Sequence, residues 1–252
     1  MMLNESELER YDRQIRIPGW GKEGQKKLKN GKVVLAGIGG LGCPTSLYLA
    51  AAGVGRITLI DNERFELNNL NRQILSSYAD IGRLKTEVAK EKLEALNSEI
   101  EIISKPVKIS EINVRRLIRN SDVVVDGMDN WKTRLIINEG CVQENIPFIH
   151  AGIYGWNGQI TTIFPKKGPC LRCLLPKTPI EVTPFPVLGA IPGFFSMLQV
   201  MEVIKLFTCI GEPLIGKLLI FNGESTTLNI VNISRNKECA VCKQDDINVS
   251  RT

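Results

Sequence analysis

The sequence predicts an α/β fold: a Rossmann-like, mostly parallel sheet continued by antiparallel strands, with helices on both faces and a four-cysteine zinc site. Three observations predict it. Residues 32–52 read as strand, Gly-x-Gly-x-x-Gly turn and helix; apolar strands then alternate with helix-period segments as far as residue 150; and two Cys-x-x-Cys pairs stand in the second half with residues 174–238 between them. In the first unit, Lys32-Val33-Val34-Leu35-Ala36 is a short apolar strand that runs into Gly37, Gly39, Gly40 and Gly42. Such glycines let the backbone turn tightly, approach a phosphate and pack helix on strand, while the N–H groups that open the helix face the anion. A small-residue helix through Leu47, Leu49 and Ala50 stops at Gly53, and a second strand, 56–60, ends on Asp61. An acid about 20 residues beyond the glycines stands where a carboxylate reaches ribose hydroxyls. The unit is a nucleotide-binding βαβ.

Ahead of it, residues 1–30 form an arm with apolar positions at helical spacing, Leu3, Leu8, Tyr11 and Ile15, then a Gly-rich turn around Gly19, Gly21 and Gly24. This arm must pack outside the sheet or reach a neighbouring subunit. Arg13, read by itself, is an arginine on a surface helix, and such residues are usually solvated. Beyond Asp61, the Asn-rich segment 62–75 predicts a loop beside the nucleotide. Lys85 opens a helix over 85–97 whose inner face is Val88, Leu93 and Leu96. A cation at a helix start works against the dipole, a local inconsistency better explained by a task than by stability.

A third strand over 100–107, a helix over 111–119 and a fourth strand over 122–126 lead straight into Gly127-Met128-Asp129-Asn130. Ligands of open parallel sheets bind outside the carboxyl ends of the strands, so Asp129 is placed for a metal carried by phosphates, whereas Asp126 bonds locally. A helix over 131–143, a fifth strand over 147–150 and an alternating sixth over 158–164, antiparallel to its neighbour, come next. His150, the sole histidine, sits at the end of an apolar strand and reads as a core residue on which no triad can be built. Pro176, Pro179, Pro184, Pro186 and Pro192 mark an extended crossover segment over 174–192. A helix over 193–207, strands over 217–221 and 227–231, and a polar tail over 244–252 complete the chain.

With 252 residues, 43% of them hydrophobic, the chain buries a sizeable core without disulfides. The polar start and the lack of 18 consecutive apolar residues predict neither a membrane span nor a secretion signal, hence a cytoplasmic protein. A net charge of +5 with scattered Lys and Arg reads as solvated helix faces rather than a nucleic-acid surface, and suits an acidic partner. Cys170, Cys173, Cys239 and Cys242 form two knuckles that offer four thiolates to one ion, most simply structural zinc, with an iron–sulfur site or a redox dithiol as competing readings. Cys43, Cys141 and Cys209 lie in apolar surroundings and read as small core residues, Cys43 being the one at a helix start, where a thiol pKa can fall.

Taken in order, Arg10-Tyr11-Asp12-Arg13-Gln14-Ile15, the glycine turn, Asp61, Asn69-Leu70-Asn71-Arg72-Gln73, Lys85, Asp126-Gly127-Met128-Asp129-Asn130, Gly158-Gln159-Ile160 and both cysteine pairs resemble the ThiF/MoeB/HesA family, relatives of ubiquitin-activating enzymes, over residues 8–243. The resemblance implies a single ATP-binding adenylation domain over 31–243, ATP as substrate, and Mg²⁺ and Zn²⁺ as metals. It also implies adenylation of the C-terminal glycine of a small ubiquitin-like partner ending in Gly-Gly. It places Asp61 on the ribose, Asn69, Arg72 and Lys85 on the phosphates, with Gln73 and the glycines beside them, and Asp129 on Mg²⁺. Arg13 would reach the phosphates of a neighbouring subunit, which implies a homodimer. One departure stands out: where several members carry a cysteine on the crossover, Val182 matches, and no cysteine occurs over 174–208. The acyl-adenylate is therefore the expected end point. A non-catalytic scaffold of the same fold shares the motifs; an NAD-dependent oxidoreductase shares the glycines and Asp61 but has no use for Arg72, Lys85 and Asp129.

Overall fold

The computed structural model of the chain describes residues 2–180 and 185–243. Three helices, α1 (Glu5–Arg10), α2 (Asp12–Ile15) and α3 (Gly21–Asn30), precede the sheet. They are followed by β1 (Lys32–Ala36), α4 (Gly42–Ala52), β2 (Arg56–Ile60), α5 (Lys85–Leu96), β3 (Glu101–Lys105), α6 (Val114–Ile118), β4 (Val123–Asp126) and α7 (Trp131–Glu144). The second half comprises β5 (Phe148–Tyr154), β6 (Asn157–Ile163), α8 (Leu171–Leu174), α9 (Ala190–Thr208), β7 (Lys217–Asn222) and β8 (Thr227–Asn232). All the strands join one eight-stranded sheet in the order β3-β2-β1-β4-β5-β6-β7-β8. Pairing is parallel from β3 to β5 and antiparallel from β5 to β8, the mixed α/β sheet the sequence predicts.

β2, β1 and β4 are covered on both sides, so their side chains alternate between two cores. Val33, Leu35, Ile57, Leu59, Val123 and Val125 join the core under α3, α4, α5 and α9; Val34, Ala36, Ile60 and Val124 join the core under α6, α7 and the cysteine cluster. Phe195 of α9 and Phe148 of β5 are wholly buried, one in each core. Removing either ring would cost about 3–5 kcal/mol. Ala36 pairs with both Ile60 and Asp126, which brings the carboxyl ends of β2, β1 and β4 level. Because the chain runs outward from β1 to β3 and returns to β4 on the other side, the crevice at the ends of β1 and β4 is the topological switch point.

The arm departs from expectation. Gly21 and Gly24 lie inside α3 rather than in a turn; Gly24 is a glycine because an added Cβ would stand 3.1 Å from the Trp20 ring. Tyr11 is 3% exposed, its ring seated over Gly53, where a Cβ would meet it at 2.5 Å, and Gly53 itself holds φ +85° as the stop of α4. Asn97 Nδ2 donates to the Tyr11 hydroxyl at 2.9 Å and to the Ala50 carbonyl at 2.7 Å. The arm is thus docked on the C-terminal ends of α4 and α5. Further differences are local: β5 runs through His150 to Tyr154, so the histidine is inside the strand, and α9 begins at Ala190, so Pro192 belongs to its first turn.

Among the described residues, one helix, α9, is long and apolar enough to cross a membrane. Its polar side chains are buried against the protein instead, each with a partner: Ser196 Oγ donates to Leu41 O (2.7 Å), Gln199 Nε2 to Asp126 O (2.7 Å), and Glu202 accepts from Leu214 N (2.7 Å). The crossover is described up to Ile180 and from Phe185; Val182 and Pro184, like the tail over 244–252, lie outside the described residues. From Pro186 to Leu188 the crossover is pinned to the β5–β6 turn, with Gly155 N donating to Pro186 O (2.9 Å) and Leu188 N to Gly155 O (3.2 Å).

Candidate active site and cysteine cluster

A cavity of about 700 Å³ opens at the switch point. Its floor is the glycine turn. Gly37 holds φ +96°, a conformation that favours glycine, and an added Cβ would stand 2.6 Å from the Gly127 carbonyl. A Cβ on Gly42 would stand 2.0 Å from Gly37 O, so this glycine packs α4 onto the turn and does not itself line the cavity. Gly39 and Gly40 do line it, together with Leu41 at the start of α4.

Asp61 lies at the end of β2, on the cavity wall, its Oδ2 accepting from Ile38 N at 2.7 Å and its Oδ1 from Glu63 N at 2.8 Å. Burial pushes its pKa up, against the opposing pull of the Ile38 N–H and Lys85. Lys85, 3% exposed, lines the cavity with its ammonium 2.7 Å from Glu63 Oε2. That pairing accounts for the cation at the start of α5: a buried ammonium needs an anion. Arg72 reaches the cavity from the loop after β2, steadied by the Asn68 carbonyl and Asn71 Oδ1, each 2.9 Å from Nη1. Gln73 also lines it, 4% exposed and with Oε1 lacking a partner. Asp129 stands exposed on the opposite wall, beyond β4, 3.3 Å from Asn130 Nδ2. The far end is closed by Tyr154, Gln159, Ile180 and Phe185, so the crossover forms one wall.

Two residues of the expected set stand apart. Asn69 is buried and bonds locally, its Oδ1 accepting from Glu66 N at 3.0 Å, and it does not line the cavity. Arg13 is exposed on α2, in the docked arm. Sequence reading missed Glu63 and Arg134. A second acid two residues beyond a strand-end aspartate would have signalled the first; an arginine beside Leu135 on the inner face of α7 would have signalled the second, which is 6% exposed and lines the cavity.

The four paired cysteines converge. Their sulfurs lie within 4.8 Å of one another, with Cys170–Cys173 at 4.0 Å, Cys170–Cys239 at 3.6 Å and Cys173–Cys242 at 3.4 Å. A tetrahedron of Zn–S bonds of about 2.3 Å has edges of about 3.8 Å. The spacing fits one ion and not a cluster whose thiolates sit on separate irons. Of the other cysteines, Cys43 and Cys141 are buried core residues, and burial pushes the Cys43 thiol up to about 12 in spite of its place in the first turn of α4. Cys209 corrects the expectation: it is exposed, at the end of α9 with φ +61°.

A switch-point crevice floored by a glycine turn and walled by cations and strand-end acids, in a fold that also gathers four thiolates, is the architecture of the nucleotide-binding α/β proteins. Residues 11–241 match the ThiF family model, and the chain belongs to that family. It is 39% identical over 249 residues to the adenylyltransferase and sulfurtransferase MOCS3 of Aedes aegypti, covering 96% of this chain and 57% of that protein. It is also 37% identical over 252 residues to the sulfur carrier protein adenylyltransferase of Thermus thermophilus, covering 96% and 93%. The chain thus spans little more than half the length of the mosquito relative and nearly all of the bacterial one. Crystalline E. coli MccB with ATP superposes with a TM-score of 0.83 at 30% identity, covering 95% of this chain and 75% of that one.

Proposed function

We propose that this protein uses ATP to adenylate the C-terminal glycine of a small ubiquitin-like sulfur-carrier protein, giving an acyl-adenylate and pyrophosphate. The observation that carries the reading is the convergence of Arg72, Lys85, Asp61 and Asp129 on one cavity above the glycine turn; the names of the relatives support it. A carrier carboxylate oxygen attacks the α-phosphorus, a new O–P bond forms, and the bond to the β-phosphate bridge breaks with its electron pair leaving on pyrophosphate. A carboxylate is already ionised at neutral pH and needs no base. What the reaction needs is alignment and compensation of the charge that develops on the phosphates. Gly39 and Gly40 admit the phosphates, Asp61 accepts from the ribose hydroxyls, and Lys85 and Arg72 face the triphosphate, Lys85 exchanging Glu63 for phosphate oxygen. Asp129, an exposed carboxylate open to a hydrated cation, would hold Mg²⁺, which when bound would supply positive charge to the triphosphate. The four thiolates would hold a structural zinc with no vacant position.

Arg13 acts, in this reading, on a partner's nucleotide. Tyr11 ties the arm to the far end of α4, and the helix, 11 residues long, separates it from the glycine turn by about 16 Å. A homodimer would bring the arm of one protomer to the cavity of its partner. Among the described residues no cysteine lines the cavity, in keeping with an enzyme that stops at the acyl-adenylate and leaves sulfur delivery to a separate thiol or persulfide donor.

The test is ATP–pyrophosphate exchange with a purified carrier ending in Gly-Gly. Exchange that depends on the carrier is expected, and Asp129→Ala should abolish it without moving the melting temperature, since a strand-end carboxylate open to solvent contributes little to the core. Carrier-independent nucleotide binding with no exchange would leave the scaffold reading in place.

A further inference from the structure

At the foot of the cavity, three titratable side chains lie buried together, Arg134 on the cavity wall and Asp126 and His150 behind it, with no part in the reaction above. Asp126 ends β4, Arg134 stands on the inner face of α7 and His150 lies in β5; they are 0%, 6% and 0% exposed. Asp126 Oδ2 accepts from Arg134 Nε at 3.0 Å and from His150 Nδ1 at 2.7 Å, while its Oδ1 accepts from Met128 N at 2.9 Å. Arg134 Nη2 donates to the carbonyls of Met128 at 2.5 Å and Ala151 at 3.2 Å, and its guanidinium lies 5.0 Å over the Trp131 ring. Burial lowers the His150 pKa, so the neutral ring donates from Nδ1 and leaves Nε2 without a partner.

Buried charges persist where they are paired and every donor is used. Here the bonds converge on the loop after β4, which is held at both the N–H and the carbonyl of Met128. The next residue is Asp129. On its other side Asn130 is fixed as the cap of α7, its Oδ1 accepting from Thr133 N at 2.9 Å. An exposed carboxylate thus stands between two clamped neighbours that fix its backbone, and Asn130 Nδ2 donates to its Oδ1 at 3.3 Å.

We propose that Arg134 is a positioning residue for Asp129: the Asp126–His150 pair holds the guanidinium, the guanidinium holds the Met128 carbonyl, and the loop so fixed aims Asp129 at the cation on the phosphates. The inference rests on the reading of Asp129 as the Mg²⁺ ligand. A lysine cannot replace this arginine, because one ammonium cannot span Asp126, Met128 and Ala151 as a planar fork does. At His150, asparagine offers an N–H where Nδ1 stands, and leucine offers none.

The experiment measures Mn²⁺ binding to the ATP-loaded protein by electron paramagnetic resonance, beside metal-free ATP binding and thermal melting. Arg134→Lys and His150→Leu should each weaken Mn²⁺ binding by about 10–100-fold, the usual size of an outer-shell effect, with metal-free ATP binding unchanged. His150→Asn should stay near the parent. Asp129→Asn is the control. If it weakens Mn²⁺ binding while Arg134→Lys and His150→Leu bind as the parent does, the positioning role is wrong and the nucleotide reading survives. If Asp129→Asn binds as the parent does, the metal assignment itself falls. Should Arg134→Lys fail to fold, the charge-free pair Arg134→Met with Asp126→Asn takes its place, and the same loss is expected of it; parental Mn²⁺ affinity there overturns the proposal equally.

Discussion

Asp61 is placed where burial and its proposed role on the ribose pull in opposite directions. Desolvation raises its pKa above the ordinary aspartate value, and the Ile38 N–H and Lys85 only partly restore it. Only the ionised carboxylate accepts from two ribose hydroxyls. Affinity for adenosine should therefore fall on acidification, and at a higher pH than an ordinary carboxylate would require. Calorimetric titration from about pH 8 to about pH 5 should show this fall in the parent and a flat, weaker profile in Asp61→Asn. A parental profile that is flat to the acid end would contradict it. Its place on the cavity wall was legible because a glycine turn and a strand-end acid keep a fixed spacing. Glu63, Arg134 and the bond from His150 to Asp126 were not, because they depend on partners from distant parts of the chain that no local pattern links, although the burial of His150 itself was expected.

At the level of elements, periodicity located the strands and most helices, since two-sided burial makes β1 and β4 continuous apolar runs and Gly53 stops α4 as its position suggested. The arm was read less well: Gly21 opens α3 with φ +57°, and Gly24 lies within it against the ring of Trp20, the residue that caps the helix, where a weak helix propensity is outweighed by local packing. The segment between Arg72 and Lys85 has little regular structure, yet it must hold both cations still. Asp80 does this. It is 5% exposed, and it accepts from Ser77 N (2.8 Å), Ser77 Oγ (2.7 Å), Lys92 Nζ (2.6 Å) and Arg83 Nη1 (3.2 Å). Burial opposes its ionisation, but the bonds from Lys92 and Ser77 win and hold the carboxyl well below the usual range. A depressed pKa contributes stability that is complete above the ordinary aspartate pKa and lost as the pH falls below it. Asp80→Asn should accordingly lower the melting temperature at neutral pH by about 2–6 °C, and the gap to the parent should close in acid. A gap that is constant with pH would mean that the charge at Asp80 contributes nothing.

For the molecule as a whole, two interactions join parts that the sequence keeps far apart. One is the proposed pairing of protomers. Arg13→Ala and Asp129→Ala, each inactive alone, should recover about a quarter of the parental exchange rate when mixed, because random pairing makes half the dimers mixed and each of those has one intact site. No recovery after confirmed subunit exchange would place Arg13 outside the reaction. The other is the thiolate cluster, anchored to α7 where Leu171 N donates to Asn138 Oδ1 at 2.8 Å. Metal analysis should find one zinc per chain. Because structural zinc sites carry apparent binding energies of about 10–16 kcal/mol, its removal by a chelator should lower the melting temperature and open the crossover to proteases before the strands of the parallel half. The cluster also has a consequence for synthesis. Half of its ligands emerge from the ribosome with Cys170 and Cys173, but the ion cannot be enclosed until Cys242 has followed. Chains fold from the amino end as they are made, so the nucleotide crevice would be floored and charged early while the crossover wall stays open, and a nascent chain would be able to hold ATP before it can shield a reaction from water.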